Sequence, residues 1–379
     1  MKKVLFVTND FGPRAGGIET FIIGLIERLP KDSVYVYTSQ QGKTDKYDAE
    51  WKSDFGVTVI RDRAKILLPT PRVNRAVAKV ARDNKTEIVC FGAATPLGIM
   101  AATLRRAGVK RIVALTHGHE VWWAKVFPFS LAMRRVGSTV DALSYLGDFT
   151  KRAIGRSLSH SSKNAMVRIA PGIDTDHFIP TLASKNLRSE LNLESKEVIV
   201  SVGRLVHRKG QDRLIEALPI IRARRPNAHL LLIGEGPYRK RLEIIAETQG
   251  VRNAVTFIGR VPYSQLPVYL GVGDIFAMPS RSRFFGLEVE GLGIVYLEAS
   301  SCSLPIIAGN SGGAPDAVLE GETGLVVDGR NANKIAESVI FLLDNPQKAR
   351  AMGECGREWV LQNWSWSNWS EEFQKLLQI

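Results

Sequence analysis

Cysteine is scarce: Cys90, Cys302 and Cys355 are the only three, scattered along 379 residues. They make no metal-ligand spacing and no disulfide framework, which suits a reducing compartment. No apolar run reaches the 18 residues of a membrane-spanning helix. The opening Met1-Lys2-Lys3-Val4-Leu5-Phe6-Val7 is basic then apolar, but Thr8-Asn9-Asp10 ends it too early for a signal peptide. It reads as a first strand. Neither a Walker loop nor a G-x-G-x-x-G fingerprint occurs, which argues against a dinucleotide-dependent oxidoreductase. His117, His119 and Glu120 lie close together but gain no further clustered ligand, so a metal site is not expected there.

What is present is the composition of a globular chain, 45% hydrophobic and 23% charged, long enough for two domains. The formal charge of +13 is lopsided. Residues 1–170 hold 28 Lys and Arg against 14 Asp and Glu, whereas residues 171–379 hold 23 against 24. A basic first half suits nucleic acid or an anionic membrane surface. No recognition motif or stacking pattern supports nucleic acid. Arg72, Arg75, Lys79 and Arg82 share one face of a helix beside Val73, Ala76, Val77 and Val80, a pattern that fits a helix lying on a bilayer.

Apolar runs alternate with helical patterns in both halves, which predicts βα units on parallel sheets. Expected strands include Val4–Val7, Val34–Tyr37, Ile88–Phe91 and Ile112–Thr116. In the second half they include Val198–Val202, His229–Ile233, Ile275–Met278 and Ile306–Ala308. Ile169–Asp174 reads as a strand and turn closing the first domain. Open α/β sheets bind ligands at strand carboxyl ends, so the loops there carry the interest. The first holds Gly12, Gly16 and Gly17. His117 follows a buried strand, where imidazole suits a sugar hydroxyl or a phosphate. Gly203-Arg204-Leu205-Val206-His207-Arg208-Lys209-Gly210 offers cations for a diphosphate, and Gly234-Glu235-Gly236 and Arg260-Val261 line the same edge. Asp174-Thr175-Asp176 resembles a metal motif but sits in a turn, and reads as a decoy. The stretch from Pro279 to Ala299 combines a glycine-rich loop with a helix opening near Gly293, an anion site flanked by Glu290 and Glu298.

Taken in order, Gly16-Gly17, His117, Gly203-Arg204 with Lys209-Gly210, Gly234-Glu235-Gly236 and Glu290 with Glu298 resemble the retaining glycosyltransferases of family 4. That resemblance implies a GT-B fold, two Rossmann-like domains with parallel sheets facing across a cleft. The expected domains are 1–170, acceptor- and membrane-facing, and 171–360, binding the nucleotide sugar, with a helix in 361–379 returning to the first. It implies that Arg204 and Lys209 bind the diphosphate, helped by the amides of Gly293, Ile294 and Val295. Glu298 would hold the ribose and Glu290 the donor sugar. Gly16 and Gly17 would approach the diphosphate, His117 the reacting sugar, Gly234 and Gly236 the donor, and Arg260-Val261 the base. Catalysis would rest on His117, Glu290, Arg204 and Lys209, with no metal or cofactor required.

Within the family the chain is most similar to actinobacterial enzymes that mannosylate phosphatidyl-myo-inositol mannosides. This implies GDP-mannose as donor, phosphatidylinositol monomannoside as acceptor and an α-1,6 linkage. It also implies a cytoplasmic protein peripherally bound to the inner face of the plasma membrane. A family member using another nucleotide sugar or acceptor is the alternative. Three departures stand out: a long loop Arg281–Val289, Leu292 at a commonly aromatic position, and Ser303 in place of a frequent glycine.

Overall fold

The computed structural model describes residues 2–13 and 16–379, which form two compact units. The first runs to Gly172 and takes back Trp366–Ile379; the second is Ile173–Ser365. These boundaries fall two and five residues beyond the expected 170 and 360. The chain re-enters the first unit through the helix Trp366–Leu377, after a helix Pro346–Asn363 that belongs to the second.

In the first unit, strands β1 (Val4–Thr8), β2 (Val34–Ser39), β3 (Thr58–Asp62), β4 (Ile88–Phe91), β5 (Arg111–Ala114), β6 (Ala142–Tyr145) and β7 (Met166–Arg168) form one sheet. Its order is β3-β2-β1-β4-β5-β6-β7 and every pair is parallel. The second unit holds β8 (Glu197–Val202), β9 (Ala228–Ile233), β10 (Val255–Gly259), β11 (Ile275–Met278), β12 (Ile306–Gly309) and β13 (Gly324–Val327). These pair in the order β10-β9-β8-β11-β12-β13, again all parallel. Both orders are the doubly wound, Rossmann-like arrangement, whose direction of winding reverses between β1 and β4 and between β8 and β11. At such a reversal two neighbouring loops diverge and leave a crevice.

Strands with helices on both faces must be apolar throughout, and Val4–Val7, Ile88–Phe91 and Ile275–Met278 are fully buried. Each such side chain contributes about 1.5–3 kcal/mol. The expected strand at Ile169-Ala170 lies earlier, at Met166–Arg168: those three residues pair with Leu143–Tyr145, and Ile169 continues only by donating to the Tyr145 carbonyl.

The helix Pro71–Asp83 starts where Thr70 accepts from the Val73 amide and Pro71 takes the first turn. Its apolar side is spent on the core, through Val73, Val77, Ala78 and Ala81. Arg72, Arg75, Lys79 and Arg82 remain exposed, but no apolar stripe is left for a bilayer, so the surface-helix expectation reduces to charge. Arg72 is itself engaged with Asp62 through two hydrogen bonds. The tryptophan-rich end packs as core: Trp364 and Trp369 are buried, the former in the second unit and the latter in the first. Ser303, where a glycine was expected, takes φ +61°, the left-handed region that glycine enters without penalty. Among the described residues no helix is long and apolar enough to cross a membrane.

Candidate functional site

In the second unit the crevice between β8 and β11 is walled by the loop after each strand. The β8 loop closes in a short turn, His207–Lys209, which sends two consecutive cations the same way. Arg208 Nη1 lies 2.7 Å and Lys209 Nζ 2.8 Å from the same oxygen of Glu290, which arrives from the β11 loop. Glu290 is buried, and burial alone would raise its carboxyl. The two cations outweigh that and hold it below the usual carboxylate range, so it is ionised. Its backbone is fixed as well: the amide donates to Ser311 Oγ at 3.2 Å and the carbonyl accepts from Gly313 N at 2.8 Å.

The two loops are riveted underneath by a buried ion pair. Arg281 donates to both oxygens of Asp212, at 2.9 and 2.6 Å, and Tyr238 Oη adds a third hydrogen bond at 3.3 Å. The Arg281 amide also donates to the Arg208 carbonyl at 2.8 Å. The cations at the crevice therefore stand on a braced floor.

Next to them the helix Ile294–Ser301 begins. Gly293 precedes it with φ +80°, where a Cβ would fall 2.5 Å from the Tyr296 ring, so only glycine fits. No side chain caps this start. The amides of Ile294 and Val295 lack an acceptor within the helix and carry its partial positive charge. Tyr296 anchors the first turn, its hydroxyl donating to the Met278 carbonyl at 2.6 Å.

Glu298 lies one turn along. It is buried, and burial pushes its carboxyl up to about 7. Below about pH 7 the folded protein keeps a proton that the unfolded chain, with the ordinary 4.5, gives up. Stability should therefore fall as pH rises from about 4.5 to 7, by on the order of 3 kcal/mol from this group. Glu298→Gln should flatten that slope, as urea unfolding at pH 5 and pH 8 would measure.

Arg204 stands exposed in the β8 loop, with no acidic partner among the described residues. Arg260 and Val261 follow β10, two strands from the crevice or about 10 Å along the sheet. Gly234 and Gly236 follow β9, beside the β8 loop. A Cβ on either would strike the β8 loop, 2.1 Å from the Gly203 carbonyl oxygen and 2.2 Å from that of Leu205. Both glycines let two loops touch.

The first unit is built on the same plan. Gly16 precedes the helix Gly17–Glu27, and a Cβ on Gly17 would meet nothing within 4 Å among the described residues. His117 follows β5 and reaches Gly92, which follows β4. A carbonyl only accepts, so His117 Nε2 carries the proton and Nδ1 is left as acceptor. Glu120 accepts from the His117 amide at 2.9 Å, and the Phe21 ring meets the imidazole edge-on at 5.6 Å. Burial holds His117 below its ordinary value, only partly offset by Glu120, so it is neutral.

Among the described residues no group of three His, Cys, Asp or Glu is placed to hold a metal ion. Asp174 is occupied in its own turn, accepting from the His177 amide at 3.1 Å. Arg208 and the Asp212–Arg281 pair are the site's unforeseen members. Arg208 was readable only as a third cation in an eight-residue loop.

This geometry has known counterparts. Residues 15–177 match the family model for Glycosyltransferase Family 4, and residues 183–359 that for Glycosyl transferases group 1. A GDP-mannose-dependent alpha-(1-6)-phosphatidylinositol monomannoside mannosyltransferase of Mycolicibacterium smegmatis is 41% identical over 99% of this chain and 98% of its own. A GDP-mannose-dependent monoacylated alpha-(1-6)-phosphatidylinositol monomannoside mannosyltransferase of Corynebacterium glutamicum is 40% identical over 100% and 98%. Among solved structures, Anabaena HepE in complex with UDP superposes with a TM-score of 0.84 at 19% identity, covering 99% of each chain. With that identity along almost its whole length, and both family models matched in order, the chain belongs to glycosyltransferase family 4 and carries its GT-B fold.

Proposed function

We propose that the chain transfers mannose from GDP-mannose to phosphatidyl-myo-inositol monomannoside, forming an α-1,6 linkage with retention at the anomeric carbon. The observation that carries this reading is the pairing of Arg208 and Lys209 beside the uncapped helix start at Gly293. It is an anion site of the charge that suits a diphosphate, at the winding reversal of a sheet whose nearest acids suit hydroxyls. The mannosyl and phosphatidylinositol parts of the reading follow the relatives named above.

In the reaction the bond between the sugar C1 and the diphosphate oxygen breaks, and negative charge grows on the leaving phosphate. Lys209, Arg208, Arg204 and the amides of Ile294 and Val295 meet that charge already oriented, so little reorganisation is needed in the transition state. With this much fixed positive charge, the proposed chemistry needs no metal. The acceptor hydroxyl attacks the same face, and its proton passes to the departing phosphate oxygen. Ionised Glu290 orients sugar hydroxyls, and Glu298 holds the ribose diol. His117, neutral with Nδ1 free to accept, takes a hydroxyl of the reacting sugar.

The acceptor is an anionic lipid, so the enzyme works at the inner face of the plasma membrane through its basic first unit. Ile66, Leu68, Phe127 and Leu131 are exposed there among Arg63, Lys65, Lys125, Arg134 and Arg135, a mixture suited to anionic headgroups. A donor-by-acceptor screen tests the whole reading. Labelled GDP-mannose with purified phosphatidylinositol monomannoside should give a lipid product whose new linkage is α-1,6. Turnover with UDP-glucose instead, or label only in water-soluble product, would reject it.

A further inference from the structure

The loop Arg281–Val289 forms a hairpin tied to the anion site through Glu288, which lies 3.6 Å from Arg208 Nε, but the tip of that hairpin serves neither the fold nor the site. Arg283 and Glu288 form an antiparallel bridge, with the Arg283 amide donating to the Glu288 carbonyl at 2.9 Å. The Gly286 amide returns to the Arg283 carbonyl at 2.9 Å, and that of Leu287 to Phe284 at 3.1 Å. The result is a stiff hairpin with Phe284 and Phe285 at its tip. Phe284 is 61% exposed and Phe285 fully so, at 104%. Both take positive φ, +48° and +54°. That region is unfavourable for bulky residues, whereas the next residue, Gly286, also takes positive φ, at +79°, without that cost. The tip therefore incurs backbone strain and loses the benefit of burying two aromatic rings, both of which glycine would avoid.

The surroundings indicate what the rings meet. The Arg283 guanidinium lies 4.7 Å over the Phe284 ring and also pairs with Glu288 at 3.1 Å. Exposed Arg330 donates to the Ser282 carbonyl at the base of the hairpin. Aromatic rings pushed outward with guanidiniums behind them match the layering of an anionic bilayer, with phosphates outside and acyl chains within. Five residues further along the chain lies Glu290 of the anion site. We propose that the Phe284-Phe285 tip is an interfacial anchor, inserting at the headgroup boundary of an anionic lipid surface and so holding the donor site of the second unit against it. This rests on the reading of the acceptor as a lipid.

The test compares the full chain with a Phe284→Ser/Phe285→Ser variant, by flotation with vesicles of phosphatidylinositol and phosphatidylcholine. High salt is used because it screens the basic first unit and leaves apolar insertion. Partitioning should fall about tenfold or more, given two rings withdrawn from the interface. GDP-mannose binding measured without lipid should stay unchanged, and turnover on the lipid acceptor should fall more than turnover on its deacylated, water-soluble form. A Phe285→Trp variant should show added fluorescence quenched by vesicles with brominated acyl chains. Unchanged partitioning would overturn the proposal, as would equal losses on both acceptors. Loss of self-association in sedimentation, with vesicle binding intact, would assign the tip to a second copy of the chain instead. Flotation and quenching need no turnover, so they report on the tip even if the mannosyltransferase reading fails.

Discussion

Lys209→Met should lower kcat by about 10²–10³-fold, the usual loss when one preorganised charge is removed from a developing anion. Methionine keeps the apolar stem of this buried side chain, so the fold should hold and the loss should be one of charge. KM for GDP-mannose should change far less than kcat, because the leaving diphosphate gains charge only as the glycosidic bond breaks. Steady-state kinetics with the lipid acceptor would measure both. An unchanged kcat would remove Lys209 from the leaving-group side and confine it to holding Glu290, 2.8 Å away.

The second large effect is structural. Asp212→Ala leaves the Arg281 guanidinium buried without its counter-charge and strands the Tyr238 hydroxyl. Breaking a buried pair from one side costs about 3–5 kcal/mol. Urea unfolding should show that loss in the second unit. A double replacement, Asp212→Leu with Arg281→Met, should recover much of the stability without restoring full turnover. The lost bidentate bond is the buried brace behind the direct pairs of Arg208 and Lys209 with Glu290, which would then be held less firmly. If the single variant unfolds at the wild-type urea concentration, the pair is no brace.

Strands were the most legible part of the chain, for a physical reason. A parallel strand covered on both faces has no polar alternation, so Val4–Val7 and Ile275–Met278 stand out as short apolar runs between helical periods. The edge strand Met166–Arg168 lacks that signature, because its outer residues face solvent. The anion site was legible where it is local: Gly293 before a helix, and Lys209 in a loop after a strand. The Asp212–Arg281 pair was not, since 69 residues separate its members and no spacing links them. The helix at Pro71–Asp83 shows the converse failure. Its sequence is equally compatible with a bilayer and with a sheet, and only the burial of Val73 and Val77 decides between them. Gly234 and Gly236 were legible as glycines of close approach, and one partner that approaches them is the backbone of the β8 loop, which no spacing announced.

The return of Trp366–Ile379 to the first unit bears on how the chain is made. Trp366 seals Gly24, where even a Cβ would lie 2.2 Å from its ring, and the Arg28 guanidinium lies over that indole at 4.5 Å. Phe373 meets Phe6 of β1 at 6.0 Å, and Arg111 of β5 donates to the Leu376 carbonyl at 2.7 Å. During synthesis the second unit is continuous and can close as soon as Ser365 has emerged. The first unit, begun earlier, waits with part of its core uncovered until Trp366–Ile379 has emerged. A chain cut short before Trp366 would thus spare the second unit and leave the first unfinished.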